Sequence, residues 1–216
     1  FLCTVNKPPT QITADDVRTY LARFQTKSAS TRANVLKALL LFFKHFLRRP
    51  EVTESFRFPK KTYKPIQVPS KEDLKRFFDA LGNDRDRAIF LMYAASGLRR
   101  NELLGLKTED VDLENRTIVP KNAHQTSNTK NTWATCFNSE TQTYLRQYLA
   151  NRENSKSDDR LFQISEVTLR RAFKEANLKT GLHITPQVLR DWFCCQLGEL
   201  GVPDRYVDAF CGRVPK

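Results

Sequence analysis

Two short segments carry side chains whose types and spacing could act on an anion. In Ala95-Ser96-Gly97-Leu98-Arg99-Arg100-Asn101-Glu102-Leu103-Leu104-Gly105-Leu106 an apolar pattern runs into a glycine and a second begins at once. A helix stopped at Gly97 and another begun near Arg99 would set that guanidinium beside open helix N-terminal amides, which favour anions. The second segment, Thr185-Pro186-Gln187-Val188-Leu189-Arg190-Asp191-Trp192, puts Gln187 and Arg190 three apart on one helical face, within reach of a single phosphate. Lys and Arg fill 36 of 216 positions, so no arginine is informative alone and only these arrangements are. Neither a metal nor a cofactor is expected. The three histidines, His45, His124 and His183, lack ligand spacing, and the five cysteines form an odd set without a CxxC pair. Cys194 and Cys195, adjacent in a helical pattern, read as small buried hydrophobes, and a reducing compartment fits.

The elements that must position these residues follow from periodicity. Thr13 and Asp16 have capping-box spacing, and Val17, Tyr20, Leu21 and Phe24 recur at helical intervals. A second helix starts near Ser28 or Ser30 and turns Val35, Leu39, Phe42, Phe43 and Phe46 inward. Its outer face carries Lys37, Lys44 and Arg48, which with Arg32 are candidates for lying along phosphates. Pro50, Pro59, Pro65 and Pro69 then punctuate a basic stretch with Arg57, Lys60, Lys61 and Lys64. The expected division is a helical domain over 1–62, a linker over 63–69 and a larger domain over 70–216. In the latter, Ser70 caps a helix bearing Leu74, Phe77, Phe78 and Leu81, and another runs from Asp84 to Ser96. Two β-rich pieces, Arg116 to Lys121 and Asn131 to Asn138, flank a polar run as a hairpin would. Helical patterns return over 139–151, 165–176 and 186–200, and after Pro203. The fold class is mainly α with a small antiparallel sheet, in two domains.

Composition narrows the partner. Apolar residues make up 40% and aromatics 11%, too much for a disordered chain. No apolar run, Ala38 to Phe43 included, comes near the ~20 residues of a bilayer span. The charge is 36 − 24 = +12 with a pI of 9.7. Residues 1–62 hold 12 basic and 4 acidic side chains, a balance of +8. A polyanion, nucleic acid above all, is the expected partner.

The chain resembles the tyrosine recombinase family, also called phage integrases. Ser96 to Leu106 matches the family's (S/T)-G-L-R-x-x-E-L-L-x-L segment, and Gln187 to Arg190 matches its H-x-L-R helix with glutamine in the histidine position. The stretch from Gly201 to Arg213 is similar to the one that ends in Leu-Gly-His, with Arg213 replacing the histidine. Residues 1–62 resemble the family's core-binding domain. The loss of both histidines is similar to integrases of archaeal viruses and plasmids.

The resemblance implies a site-specific recombinase that cleaves and rejoins DNA through a 3′-phosphotyrosine, without metal or nucleotide. Arg99 and Arg190 would stabilise the phosphate in the transition state, Gln187 and Arg213 would donate to it, and Lys130 would protonate the leaving oxygen, with Lys121 the rival. Glu102 would hold Arg99 still, and Asp191 would orient Arg190 or cap a neighbour. Trp133 and Trp192 are expected in the core. The partner would be a double-stranded attachment site gripped in a C-shaped clamp, with four protomers on two duplexes and the fragment alone monomeric. The setting would be cytoplasmic, at the nucleoid, with no membrane. The family's tyrosine lies several residues beyond Arg213, and Tyr206 precedes it, so the nucleophile is expected past Lys216 and cleavage is not expected of the chain as it stands. A DNA-binding module without activity and a type IB topoisomerase are the alternatives.

Overall fold

The computed structural model describes residues 1–60, 67–120, 132, 134–152 and 159–213. The chain divides into two compact units, 1–65 and 66–216. In the first, helices α1 (Leu2–Val5), α2 (Ala14–Ala22) and α3 (Ala29–Leu41) enclose a small core of Ile12, Val17, Leu39, Phe43 and Val52. The capping box forms as its spacing predicts: Asp16 N donates to Thr13 Oγ1 at 3.4 Å and Thr13 N to Asp16 Oδ2 at 2.9 Å. Ser28, the earlier of the two candidates, caps α3.

One expectation fails here. Phe46 does not turn inward; it is 76% exposed and stacks on Phe42. The cause is a π-helical turn over Phe42–Phe46, closed by Leu47 N donating to Phe42 O at 3.0 Å. One extra residue in that turn rotates everything after it away from the α-helical stripe. The same interruption separates Lys37 on α3 from Lys44 in the π turn, and Arg48 follows with a left-handed φ of 54°. The three are exposed but do not continue one regular helical face.

The second unit is built around α5 (Asp84–Ser96). Nine of its side chains are buried, and past its charged first turn it is apolar as far as Ala95, as a helix at the centre of a domain must be. Around it stand α4 (Lys71–Ala80), α6 (Arg100–Gly105), α7 (Ser139–Asn151), α8 (Glu166–Thr180), α9 (Pro186–Glu199) and α10 (Asp204–Phe210). The sheet is antiparallel with order β1 (Val111–Asp112), β2 (Thr117–Ile118), β3 (Thr135–Cys136). Strands β2 and β3 are the expected hairpin, with Ile118 opposite Thr135. The first strand was not legible, because two residues carry no detectable alternation. The fold is thus mainly helical with a small antiparallel sheet. No helix among the described residues is long and apolar enough to cross a membrane.

Candidate phosphate-binding site

The C-terminal end of α5 is where the elements converge. Gly97 caps it at φ 64°, a left-handed conformation that glycine adopts without steric cost. A second constraint acts at the same atom: a Cβ on Gly97 would stand 2.7 Å from Phe193 Cε1 and closer still to Cδ1. The missing side chain therefore stops α5 and also lets α9 press against the stop. Thr135 Oγ1 of β3 donates to Ser96 O at 2.7 Å, bringing the sheet to the same point. Beyond the turn, α6 is pinned by Tyr93 Oη donating to Arg100 O at 3.1 Å and by an Arg100–Glu166 ion pair at 2.9 Å.

Arg99 occupies the N-cap of α6. Its backbone N–H donates to Glu102 Oε2 and its Nη1 to Glu102 Oε1, both at 2.7 Å. The same carboxylate accepts from Thr132 N at 3.3 Å and Thr132 Oγ1 at 3.1 Å. Glu102 thus fixes the arginine and the chain entering β3 together, a role wider than holding Arg99 still. Nη2 of Arg99 reaches across to Gly212 O at 3.3 Å.

Arg190, only 3% exposed, meets Arg99 through the same turn. Its Nη1 donates to Gly97 O and its Nη2 to Cys211 O. The buried guanidinium therefore clips the end of α5 to the turn after α10, and consecutive carbonyls, of Cys211 and Gly212, hold the two arginines. Burial lowers the Arg190 pKa from its usual value; the Glu102 charge opposes this, and the Arg99 and Arg213 charges add to it. Arg213 N donates to Asp208 O at 2.8 Å, and its Nη1 lies 3.4 Å from Asp208 Oδ1. Desolvation lowers the pKa of Arg213, but Cys194, Cys211 and Asp208 outweigh it, and the net direction is up. Three guanidiniums so placed, with Glu102 and Asp208 as named carboxylate partners, concentrate positive charge at one turn, a setting that favours an anion.

Gln187 lies exposed on the first turn of α9, and its Nε2 donates to Asp191 Oδ1 at 2.9 Å. Asp191 therefore pairs with its neighbour Gln187, whereas Arg190 is oriented by backbone carbonyls; of the two roles expected of Asp191, orienting Arg190 or capping a neighbour, the first is corrected. Lys130 and Lys121, and with them Lys61, Lys64, His124 and Trp133, lie outside the described residues. Trp192 packs partly buried against the core. Lys37, Lys44, Arg48 and Lys60 are exposed, while Arg32 is half-buried with its Nε away from solvent. Cys194 and Cys195 are only half-buried, not the core hydrophobes their helical setting suggested. A cavity of about 620 Å³ lined by Glu166, Phe173, Leu178 and His183 includes Arg100 but none of the three clustered arginines. Among the described residues no group of three or more His, Cys, Asp or Glu could hold a metal ion.

The sequence profile of the phage integrase family matches residues 68–213, which takes in every element just described around the arginines. The chain belongs to that family. Among this chain's relatives, the tyrosine recombinase XerA of Saccharolobus solfataricus is 26% identical over 205 residues, covering 89% of this chain and 67% of the relative. XerA of Pyrococcus furiosus is 29% identical over 211 residues, covering 93% of this chain and 72% of the relative. A crystal structure of XerA recombinase matches with a TM-score of 0.61 at 26% identity, over 99% of this chain and 79% of that one. A lambda integrase dimer bound to a COC′ core site has the same fold, with a TM-score of 0.73 at 14% identity over 97% of this chain and 63% of that one. Gly97, Arg99 and Glu102 of the first family segment and Arg190 of the second are the residues whose contacts bring these elements together.

Proposed function

We propose that the protein is a site-specific DNA recombinase of the integrase type, breaking and rejoining strands through a 3′-phosphotyrosine without a metal. The observation that carries this reading is the convergence of Arg99, Arg190 and Arg213 on one turn. As a phosphodiester becomes five-coordinate its nonbridging oxygens gain negative charge, and cations already fixed in place stabilise that charge without reorganising. Arg190 is held by two carbonyls and Arg99 by Glu102, so both are preorganised. Gln187 adds a neutral hydrogen-bond donor that cannot shuttle a proton. Lys130 is assigned the general acid, giving its proton to the 5′ oxygen as it leaves. The departing energy is kept in the phosphotyrosine link, so a 5′ hydroxyl can reverse the step and no nucleotide is consumed.

Arg32, Lys37, Lys44, Arg48, Lys60, Lys61 and Lys64 are assigned to the DNA backbone, where their contacts give affinity without sequence choice. The likeness to a Tn1549 transposon integrase solved with transposon right end DNA, at a TM-score of 0.74 and 18% identity, supports a duplex as the partner. The replacement of both family histidines, by Gln187 and Arg213, supports an integrase of an archaeal virus or plasmid. Domain roles follow: residues 1–62 grip the duplex and 70–216 carry the chemistry, with recombination needing four protomers on two duplexes.

The test is covalent trapping. The complete gene product is incubated with nicked suicide duplexes carrying candidate sites, and adducts are mapped by mass spectrometry. A tyrosine-linked 3′-phosphate, lost in Arg99→Ala and Arg190→Ala, is the expected result. Duplex binding without any adduct would establish a non-catalytic module instead, and relaxation of supercoils without joining of two sites would establish a type IB topoisomerase.

A further inference from the structure

Two thiols stand against the arginine cluster without a part in the chemistry proposed for it. Cys194 is on α9 and Cys211 in the turn after α10; their sulfurs are 3.4 Å apart. Both are free, Cys211 fully buried and Cys194 half-buried. The backbone of that turn is the part of the protein that the arginines hold, through Cys211 O to Arg190 and Gly212 O to Arg99. Cys195, one position further along α9, is turned ~100° around the helix from Cys194.

We propose that Cys194 and Cys211 are a reversible disulfide site, closed by exchange with a low-molecular-weight disulfide, and that closure draws the 211–212 turn away from Arg99 and Arg190. The proposal rests on the phosphate-binding role given to those arginines. The chemistry balances in two steps. Cys194 thiolate attacks one sulfur of the small disulfide, forming a mixed disulfide and expelling one small thiolate. Cys211 then attacks Cys194 Sγ, its proton passing to the second small thiolate as that leaves. Two protein thiols are oxidised and one disulfide is reduced to two thiols.

The setting suits those roles. A hydrogen bond from the Cys211 thiol holds the Cys194 pKa well below its ordinary value; desolvation opposes the shift, and the Arg213 and Arg190 charges add to it. The accessible cysteine is therefore the attacking one. The same hydrogen bond, with burial, pushes Cys211 up, so it keeps its proton until the resolving step. Closure must bring sulfurs now at 3.4 Å to a bond length of about 2.05 Å. Cys194 sits in the middle of α9, where helical hydrogen bonds resist displacement, whereas Cys211 sits in a turn ending at Gly212 with φ 53°. The turn yields, and its two carbonyls move with it.

The reduced complete gene product is treated with glutathione disulfide, then followed by intact mass, peptide mapping and single-turnover cleavage. The expected result is loss of the mass of two hydrogens, a 194–211 crosslink, and cleavage slowed by about 10²-fold, the cost of a misplacement near 1 Å, with dithiothreitol restoring it. Cys195→Ser should behave as the parent, and Cys194→Ser and Cys194→Ala, checked as folded by thermal melting, should resist the oxidant. Glutathione remaining on Cys194, a crosslink elsewhere, or a 194–211 crosslink with cleavage unchanged overturns the proposal. The mass readout needs no activity, so a missing crosslink sinks the disulfide whatever the protein does to DNA. A protein that crosslinks but leaves DNA uncut when reduced overturns the function and the coupling together.

Discussion

Glu102→Gln alters one atom and should separate DNA binding from catalysis. The carboxylate is 13% exposed and accepts four hydrogen bonds, two from Arg99 and two from Thr132. Glutamine offers one oxygen and one NH2 group. With its oxygen at the Oε1 position it still accepts from Arg99 Nη1 and Thr132 N, but its NH2 then confronts the Arg99 backbone N–H. Flipped, the NH2 confronts Arg99 Nη1 and Thr132 N instead. Either way a shielded donor loses its acceptor, at about 1–3 kcal/mol. The ion pair itself, with Arg99 31% exposed, contributes at most about 1 kcal/mol after solvent screening. A loss of about 2–3 kcal/mol lowers Tm by roughly 4–12 °C for a chain of this size. Cleavage should drop by about 10²-fold, since Arg99 is no longer held in place. Duplex affinity should be kept or raised at low salt, because one negative charge leaves the cluster. Fluorescence anisotropy and single-turnover cleavage on one duplex give both numbers. Cleavage within about threefold of the parent, or affinity and cleavage falling in parallel, would refute the reasoning.

Other consequences are as direct. Gly97→Ala should cost about 1–2 kcal/mol for its left-handed φ and a further 1–3 for the clash with Phe193. Urea denaturation of the Gly97→Ala, Phe193→Ala and double variants should show a coupling of about 1–3 kcal/mol, and strict additivity would exclude the clash. Arg190→Lys keeps the charge but cannot bridge two carbonyls, so it should lose about 10²-fold or more in cleavage and also melt lower, measured on the same preparation. Asp16 has its pKa lowered by the hydrogen bond from Lys7, then by that from Thr13 N. A depressed folded-state pKa stabilises above the unfolded value and is lost as pH falls through the folded one. Asp16→Asn should therefore destabilise at neutral pH, with the difference vanishing in strong acid on pH-dependent melting curves. Duplex affinity should fall steeply with salt, and Lys37→Ala with Lys44→Ala should reduce the log–log slope by about 0.9 for each phosphate no longer neutralised, a slope unchanged by both counting against that assignment.

Much of the scaffold was legible because its signals are local. Thr13 and Ser70 cap the helices their spacing assigns to them, and Gly97 stops α5 where the pattern breaks. Local chemistry sets these boundaries, so a short window contains all the information needed. The failures are of two kinds. A π turn at Phe42–Phe46 has the same composition as a continuing helix, so Phe46 read as core. Strand β1 is two residues long, and pairing with β2 alone defines it.

Residue types, their order and the excess of positive charge were determined by the sequence: a Gly-x-Arg junction, a Gln-x-x-Arg helix, a closing Gly-Arg, and the family they mark. Only the tertiary structure decided what holds them. Arg190 is oriented by carbonyls 93 and 21 residues away, and Arg99 by one 113 residues away. Asp191, one position from Arg190, serves Gln187 instead, and Cys194, which looked like packing, faces Cys211 in the turn after α10. Carbonyl acceptors leave no trace in a sequence, since every residue carries one. Which of them a guanidinium meets is settled only when distant helices pack.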